Sequence, residues 1–232
     1  MLSSSKSLYI YYAHGELANL AAYERVVLQP DHYGAGELET LREAGTQAFA
    51  YLSLGEDFSA ELKPWHRQRS NPDWQTRYVY VTHPDWQKQI LQRAREALDK
   101  GFAGLFLDTL EVVELFPEER AALLSLVERL RHIAPKLIVN RGFALLPELA
   151  PLVDALVFEG FSTRWLPGGG YAKLHTHELE WTSLKLRELK ALGVKVYALD
   201  YADTPALRSF ARRRAYRCGL ECQVSTRALD II

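Results

Sequence analysis

The stretch DWQKQILQRAREALDK-GFAG-LFLD, residues 85 to 108, decides the fold. Its first part places Trp86, Ile90, Arg93, Ala94 and Leu98 near one stripe, the spacing of an amphipathic helix. It stops at Gly101, the residue type that ends helices in left-handed backbone. Four residues later comes an apolar run that closes on a carboxylate, Asp108. Such a run is continuous rather than alternating, as expected of a strand covered on both faces.

The same kind of run recurs on both sides. With Leu105–Asp108 there are eight: Leu8–Ala13, Val26–Gln29, Ala48–Leu54, Leu137–Asn140, Ala155–Glu159, Val194–Asp200 and Cys222–Thr226 are the others. Between them lie further helical patterns. Glu118–Ile133 starts just after Pro117, suited to a first helical turn, and repeats Leu123, Leu126, Val127 and Leu130. Glu178–Leu192 ends at Gly193, and Pro205–Cys218 ends at Gly219. Strand then helix, eight times over in 232 residues, predicts an α/β fold, a (β/α)8 TIM barrel, with an open doubly wound sheet as the alternative. No repeat or Pro/Gly linker divides the chain, so residues 1–232 read as a single domain.

Two connections are long: Gly55–Pro84 after the third strand and Gly160–His177 after the sixth. Both leave the C-terminal ends of strands, the face on which barrel enzymes build their sites. They carry Trp65, Trp74 and Trp165, three of the five tryptophans. These indoles either pin the loops to the barrel or offer flat platforms for sugar rings.

Composition removes other classes. The chain is 48% hydrophobic, and 28 basic against 29 acidic residues leave a net charge of −1, so no global field draws it to nucleic acid or a membrane. No apolar run is long enough to span a bilayer. Arg208, Arg212, Arg213, Arg214 and Arg217 read as a solvated helix face, because no aromatics interleave them. Cys218 and Cys222 read as free thiols. His175 and His177 lack a third ligand, so no metal is expected. Gly168–Gly170 lacks phosphate-loop spacing and reads as a hinge, and Ser225 has no triad around it. No cofactor is implied, and a monomer is expected. Met1–Ser7 is not a secretory leader, so the sequence as given reads as cytoplasmic; a secreted protein trimmed of its leader would read the same.

The strand ends carry the chemistry. They are Gln29 with Asp31, Glu56, Asp108, Asn140 with Arg141, Glu159, Asp200 with Asp203, and Ser225 with Thr226. A carboxylate closing an apolar strand is costly unless it is solvated in a cleft, paired or functional. Asp108 falls on the fourth strand and Glu159 on the sixth, and alternate strands feed the same layer of a barrel interior. Their carboxyl groups then fall within the range used in paired-acid glycoside hydrolysis; spacing alone leaves retention and inversion open. A turn cap for Asp108 and an ion pair with Arg141 or Arg164 for Glu159 are the structural alternatives.

Four segments carry a resemblance: Tyr51-Leu52-Ser53-Leu54-Gly55-Glu56, the run from Gly101 to Leu110, Val139-Asn140-Arg141-Gly142-Phe143, and Leu199-Asp200-Tyr201-Ala202-Asp203. In this order they resemble the endo-α-1,4-polygalactosaminidases, glycoside hydrolase family 114, over about Leu8 to Leu229. The resemblance implies a (β/α)8 barrel that cleaves α-1,4-linked galactosamine or N-acetylgalactosamine polysaccharide, with catalytic acids at the ends of strands four and six. Those are Asp108, assigned as nucleophile, and Glu159, assigned as acid/base, in a retaining mechanism. Members tend to carry Asp where this chain has Gln29 and often Asp where it has Glu111, departures that bear on substrate identity.

The expected substrate contacts are Tyr12, Asp31, Glu56, Trp65, Asn140, Arg141, Trp165, Asp200 and Tyr201. Asp31, Glu56, Asp57, Asp108, Glu111, Glu159, Asp200 and Asp203 map to the predicted top face, an acidic groove suited to a cationic polysaccharide or oligosaccharide. The leading expectation is therefore a glycoside hydrolase acting on an amino-sugar polymer. The alternatives are a silent carbohydrate-binding or regulatory barrel and, behind it, a barrel of aldolase or isomerase type, which lacks a buried Lys and a phosphate loop.

Overall fold

The eight apolar runs become eight parallel strands in chain order: Lys6–Tyr11, Tyr23–Leu28, Gln47–Ser53, Gly104–Asp108, Leu137–Asn140, Ala155–Glu159, Lys195–Tyr201 and Glu221–Ser225. We call them the first to the eighth. This is a computed structural model, and it describes residues 6–232; the reading made of Met1–Ser5 lies outside the described residues. Each strand pairs with the next, for example Ser53 with Asp108 and Asn140 with Val157.

First and eighth strands meet through a side chain. The Gln223 amide accepts from the Ile10 N–H at 2.8 Å and donates to the Ile10 carbonyl at 2.9 Å, taking the place of a strand peptide. Just above, Tyr12 N–H donates to the Leu229 carbonyl.

Alternation along the strands explains why the runs are apolar throughout. Ile10, Val27, Phe49, Phe106, Ile138, Val157 and Leu199 share one buried cluster inside the barrel. Their neighbours Val26, Leu28, Leu105, Leu107, Val139, Leu156 and Phe158 belong to the larger core outside it. Both faces of the first seven strands are thus buried.

The helical layer is thinner than the sequence pattern suggests. Five long helices occur among the described residues: Ala35–Glu43, Pro84–Lys100, Arg120–Ile133, Thr176–Ala191 and Pro205–Arg217. The stretch around residue 85 forms as read, with Pro84 in the first turn and Gly101 left-handed at φ 117°. Its buried stripe is Trp86, Ile90, Leu91, Ala94 and Ala97, and Arg93 faces outward. Only one turn, Leu17–Leu20, follows the first strand. Two 3-10 turns, Phe143–Leu145 and Ala150–Leu152, replace a helix after the fifth. That connection holds Pro147 and Pro151, and a proline inside a helix removes a hydrogen bond and clashes with the preceding turn.

The two long connections are built rather than loose. The third contains an antiparallel sheet of Glu56–Asp57, Thr76–Val79 and His66–Asn71. The sixth contains a hairpin of Thr163–Trp165 with Tyr171–Lys173. No helix among the described residues is long and apolar enough to cross a membrane.

Candidate active site

Two residues beyond each interior apolar position, the strands end in a ring of polar groups. Ile10 is followed by Tyr12, Val27 by Gln29, Phe49 by Tyr51, Phe106 by Asp108, Ile138 by Asn140, Val157 by Glu159 and Leu199 by Tyr201. All seven ring residues line one cavity of about 700 Å³ at the C-terminal mouth of the barrel. The period of two that buries the apolar member lifts the polar one into this cavity.

Asn140 ties the two acids together. Its amide nitrogen donates to Asp108 Oδ1 at 2.9 Å and to Glu159 Oε2 at 2.6 Å, so those oxygens stand no farther apart than the sum of the two bonds, about 5.5 Å. Both amide hydrogens are thereby used, and Asn140 Oδ1 has no partner. Tyr51 OH donates to Asp108 Oδ2 at 2.9 Å, Thr109 N–H to Asp108 Oδ1 at 2.8 Å, and Tyr201 OH to Glu159 Oε1 at 2.6 Å. Burial holds the Tyr12, Tyr51 and Tyr201 hydroxyls well above the usual phenol range, so they stay protonated as donors. Burial and the like charge of Glu159 push the Asp108 carboxyl up to about 6.

The chain turns sharply after each central residue. Thr109, Arg141 and Gly160, directly after Asp108, Asn140 and Glu159, have φ of 63°, 53° and 68°. For the β-branched Thr109 this conformation is strained. Its hydroxyl offsets the strain by accepting from Leu54 and Gly55 N–H, at 3.1 and 2.7 Å. Gly55 fits there only without a side chain, since a Cβ would lie 2.5 Å from the Thr109 carbonyl.

Around the acids the rim is mixed in charge. Glu56 is held by Asn71 and Thr76. Glu111 lies 3.0 Å from Arg141 Nε, and burial pushes its carboxyl up to about 8 against the pull of that guanidinium. The lining holds five acids, Glu56, Asp108, Glu111, Glu114 and Glu159, against Arg141, Arg164 and Arg227. This is a smaller excess than the eight top-face acids of the sequence suggest. Trp165 and Trp74 supply flat apolar surface.

Three expected contacts stand outside the lining, as do two further acids. Asp31 is exposed on the turn after the second strand, and Asp203 is also exposed. Trp65 donates to Asp57, which is buried with His66 in the third-loop sheet, and packs on Trp86. It is a loop pin. Asp200 precedes the inward Tyr201, so alternation turns it outward. Fully buried, it accepts from Ser162 and Thr163 N–H at 2.7 and 2.8 Å and so fixes the start of the sixth loop. Tyr51, Gln29, Glu114 and Arg227 line the cavity without being among the expected contacts. Tyr51 carried a readable signal, lying two residues after Phe49.

With this geometry in place, comparisons with known proteins point one way. The model of glycoside-hydrolase family GH114 matches residues 14–226. The glycoside hydrolase domain of PelA from Pseudomonas aeruginosa superposes with a TM-score of 0.88 at 34% identity, covering 97% of this chain and 96% of that one. Ega3 of Aspergillus fumigatus, solved in complex with galactosamine, has a TM-score of 0.74 over 97% of this chain and 93% of its own; at 14% identity it shows the fold alone. An uncharacterized Deinococcus radiodurans protein is 24% identical over 90% of this chain and 74% of its own length. One from Methanocaldococcus jannaschii is 30% identical over 37% of this chain, a match that spans 28% of the archaeal protein.

Proposed function

Since this chain belongs to glycoside hydrolase family GH114, we propose that it hydrolyses an α-1,4-linked galactosamine or N-acetylgalactosamine polysaccharide with retention, using Asp108 and Glu159. The observation that carries the reading is the Asn140 bridge. Retaining enzymes keep their carboxyl groups about 5–5.5 Å apart, whereas inverting ones open to roughly 6.5–9.5 Å to admit a water. An upper bound of about 5.5 Å between the bridged oxygens supports the closer arrangement.

The hydrogen bonds support a division of roles. Asp108 accepts three, from Tyr51, Asn140 and Thr109, and Glu159 accepts two, from Asn140 and Tyr201. Donors stabilise an anion, so the additional donor on Asp108 favours it as the nucleophile. Asp108 then attacks the anomeric carbon as Glu159 protonates the departing glycosidic oxygen. In the second half Glu159 takes a proton from water, which releases the sugar from Asp108. The acidic lining favours a polymer bearing free amines, and Ega3 was solved in complex with galactosamine.

The test is mass spectrometry of products from α-1,4-galactosamine and N-acetylgalactosamine oligomers, with NMR of the first anomer released. Wild type yields shortened oligomers with the α anomer first, and Asp108→Asn and Glu159→Gln yield none. Oligomers bound but left intact by wild type overturn the reading in favour of a binding barrel, and the β anomer first overturns retention.

A further inference from the structure

We infer that a strap of Trp74, Arg227 and Trp165 crosses the mouth of the active site and makes the substrate path a tunnel, so that a polymer is held and cut repeatedly before release. This rests on the glycosidase reading and adds a mode of attack to it. The Arg227 guanidinium carbon lies 4.0 Å from the ring centroid of Trp74 and 4.1 Å from that of Trp165. The one guanidinium thus bears on both indole rings and links them.

The three residues come from different sides of the barrel. Trp74 sits between the second and third strands of the third-loop sheet, Trp165 on the sixth-loop hairpin, and Arg227 after the eighth strand. In the ring of strands, the fourth and fifth separate the third from the sixth, and the first and second separate the eighth from the third. Loops so spaced meet only over the centre of the mouth. The three residues line the same cavity as Tyr12, Gln29, Glu111, Glu114, Arg141 and Arg164.

The strap is anchored at one end and weakly held at the other. Arg227 N–H donates to Tyr171 OH at 2.7 Å, while its guanidinium makes only a 3.4 Å contact with the Asp73 carbonyl. Stacking on Trp74 is therefore the main link to the third loop, and a cation–π contact at an exposed indole is weak enough to open. Trp74 is 49% exposed. A chain enters when that link parts and is enclosed when it re-forms.

The experiment compares wild type with Arg227→Ala and Trp74→Ala on long, partly de-N-acetylated α-1,4-galactosamine polymer. Products are compared at equal total cuts, so overall rate does not enter. Wild type releases many short products while the remaining polymer stays long; both variants shorten the polymer early, lowering the ratio of soluble to polymer-borne new ends about tenfold for Arg227→Ala, the scale of two lost cation–π contacts, and about threefold for Trp74→Ala, which loses one. An unchanged ratio in both variants overturns the strap while wild-type cleavage of oligomers leaves the glycosidase reading standing. A second measurement needs no turnover: the polymer leaves Asp108→Asn/Arg227→Ala about tenfold faster than Asp108→Asn. Equal dissociation rates overturn the strap whatever reaction the acids perform.

Discussion

Replacing Asp108 with asparagine should make the protein more stable, and only above a definite pH. Burial and the charge of Glu159 raise the Asp108 carboxyl from 3.8 to about 6. A carboxyl with a higher pKa folded than unfolded costs nothing below the unfolded value, where both states hold the proton. It costs its full penalty above the folded value, where both have lost it. At 1.36 kcal/mol per unit, the ionised side chain destabilises the fold by about 3 kcal/mol at neutral pH. Asparagine removes that charge and keeps the shape. Its carbonyl still accepts from Asn140 and Thr109, and its amide donates to Tyr51 OH, which can accept in place of donating. For a chain of this size 1 kcal/mol moves Tm by about 2–4 °C, so the variant should melt about 6–12 °C higher near pH 8. The gain should shrink through pH 6 and vanish below about pH 4. Thermal melts followed by circular dichroism across that range provide the assay. A variant that melts at or below wild type at pH 8, or a gain that does not change with pH, would refute the argument that the acid pair is held together at the expense of stability.

The same pair sets the pH dependence of turnover. Asp108 must be ionised to act as nucleophile, so kcat/KM for an oligomer should rise as pH passes about 6; a profile that is flat between about pH 5 and 7 contradicts the assignment. Asn140→Ala removes the bridge and should lower kcat about 100-fold with a smaller change in KM, the scale of an acid displaced by about 1 Å. A change confined to KM would make Asn140 a substrate contact instead. Asp200→Ala strands the Ser162 and Thr163 N–H groups in the interior and should cost about 2–6 kcal/mol, while Asp200→Asn, which keeps one acceptor oxygen, should cost less. Equal loss in the two variants, measured by urea unfolding, counts against an anchoring role. Gln223→Ala opens the seam at Ile10 and should cost about 1–3 kcal/mol in the same measurement; no loss would mean the seam closes without it.

What the sequence made legible, and what it did not, divides along one line: whether position is fixed by local periodicity or by where a long connection travels. The apolar runs announced eight strands covered on both faces because alternation buries every second side chain inside the barrel and every other one under helices. Asp108 and Glu159 were legible for the same reason, each lying two residues beyond an interior Phe106 or Val157. That periodicity also excludes Asp200 and Tyr201 from facing the cavity together, and Tyr201 is the one that does. Trp65 and Trp74 belong to one loop and look alike in sequence, yet Trp65 is pinned within the loop by Asp57 while Trp74 reaches across the barrel to Arg227. Nothing within a few residues of either distinguishes them, because the path of the loop is set by distant partners such as Glu119, which holds Arg67 and the Thr82 N–H. The short helical layer follows the same division: Pro147 and Pro151 forbid a helix after the fifth strand locally, whereas the use of Gln223 to close the barrel depends on Ile10, 213 residues away. The acids proposed to break the glycosidic bond were therefore readable from the strands, while the strap proposed to govern access to them lies in contacts between loops.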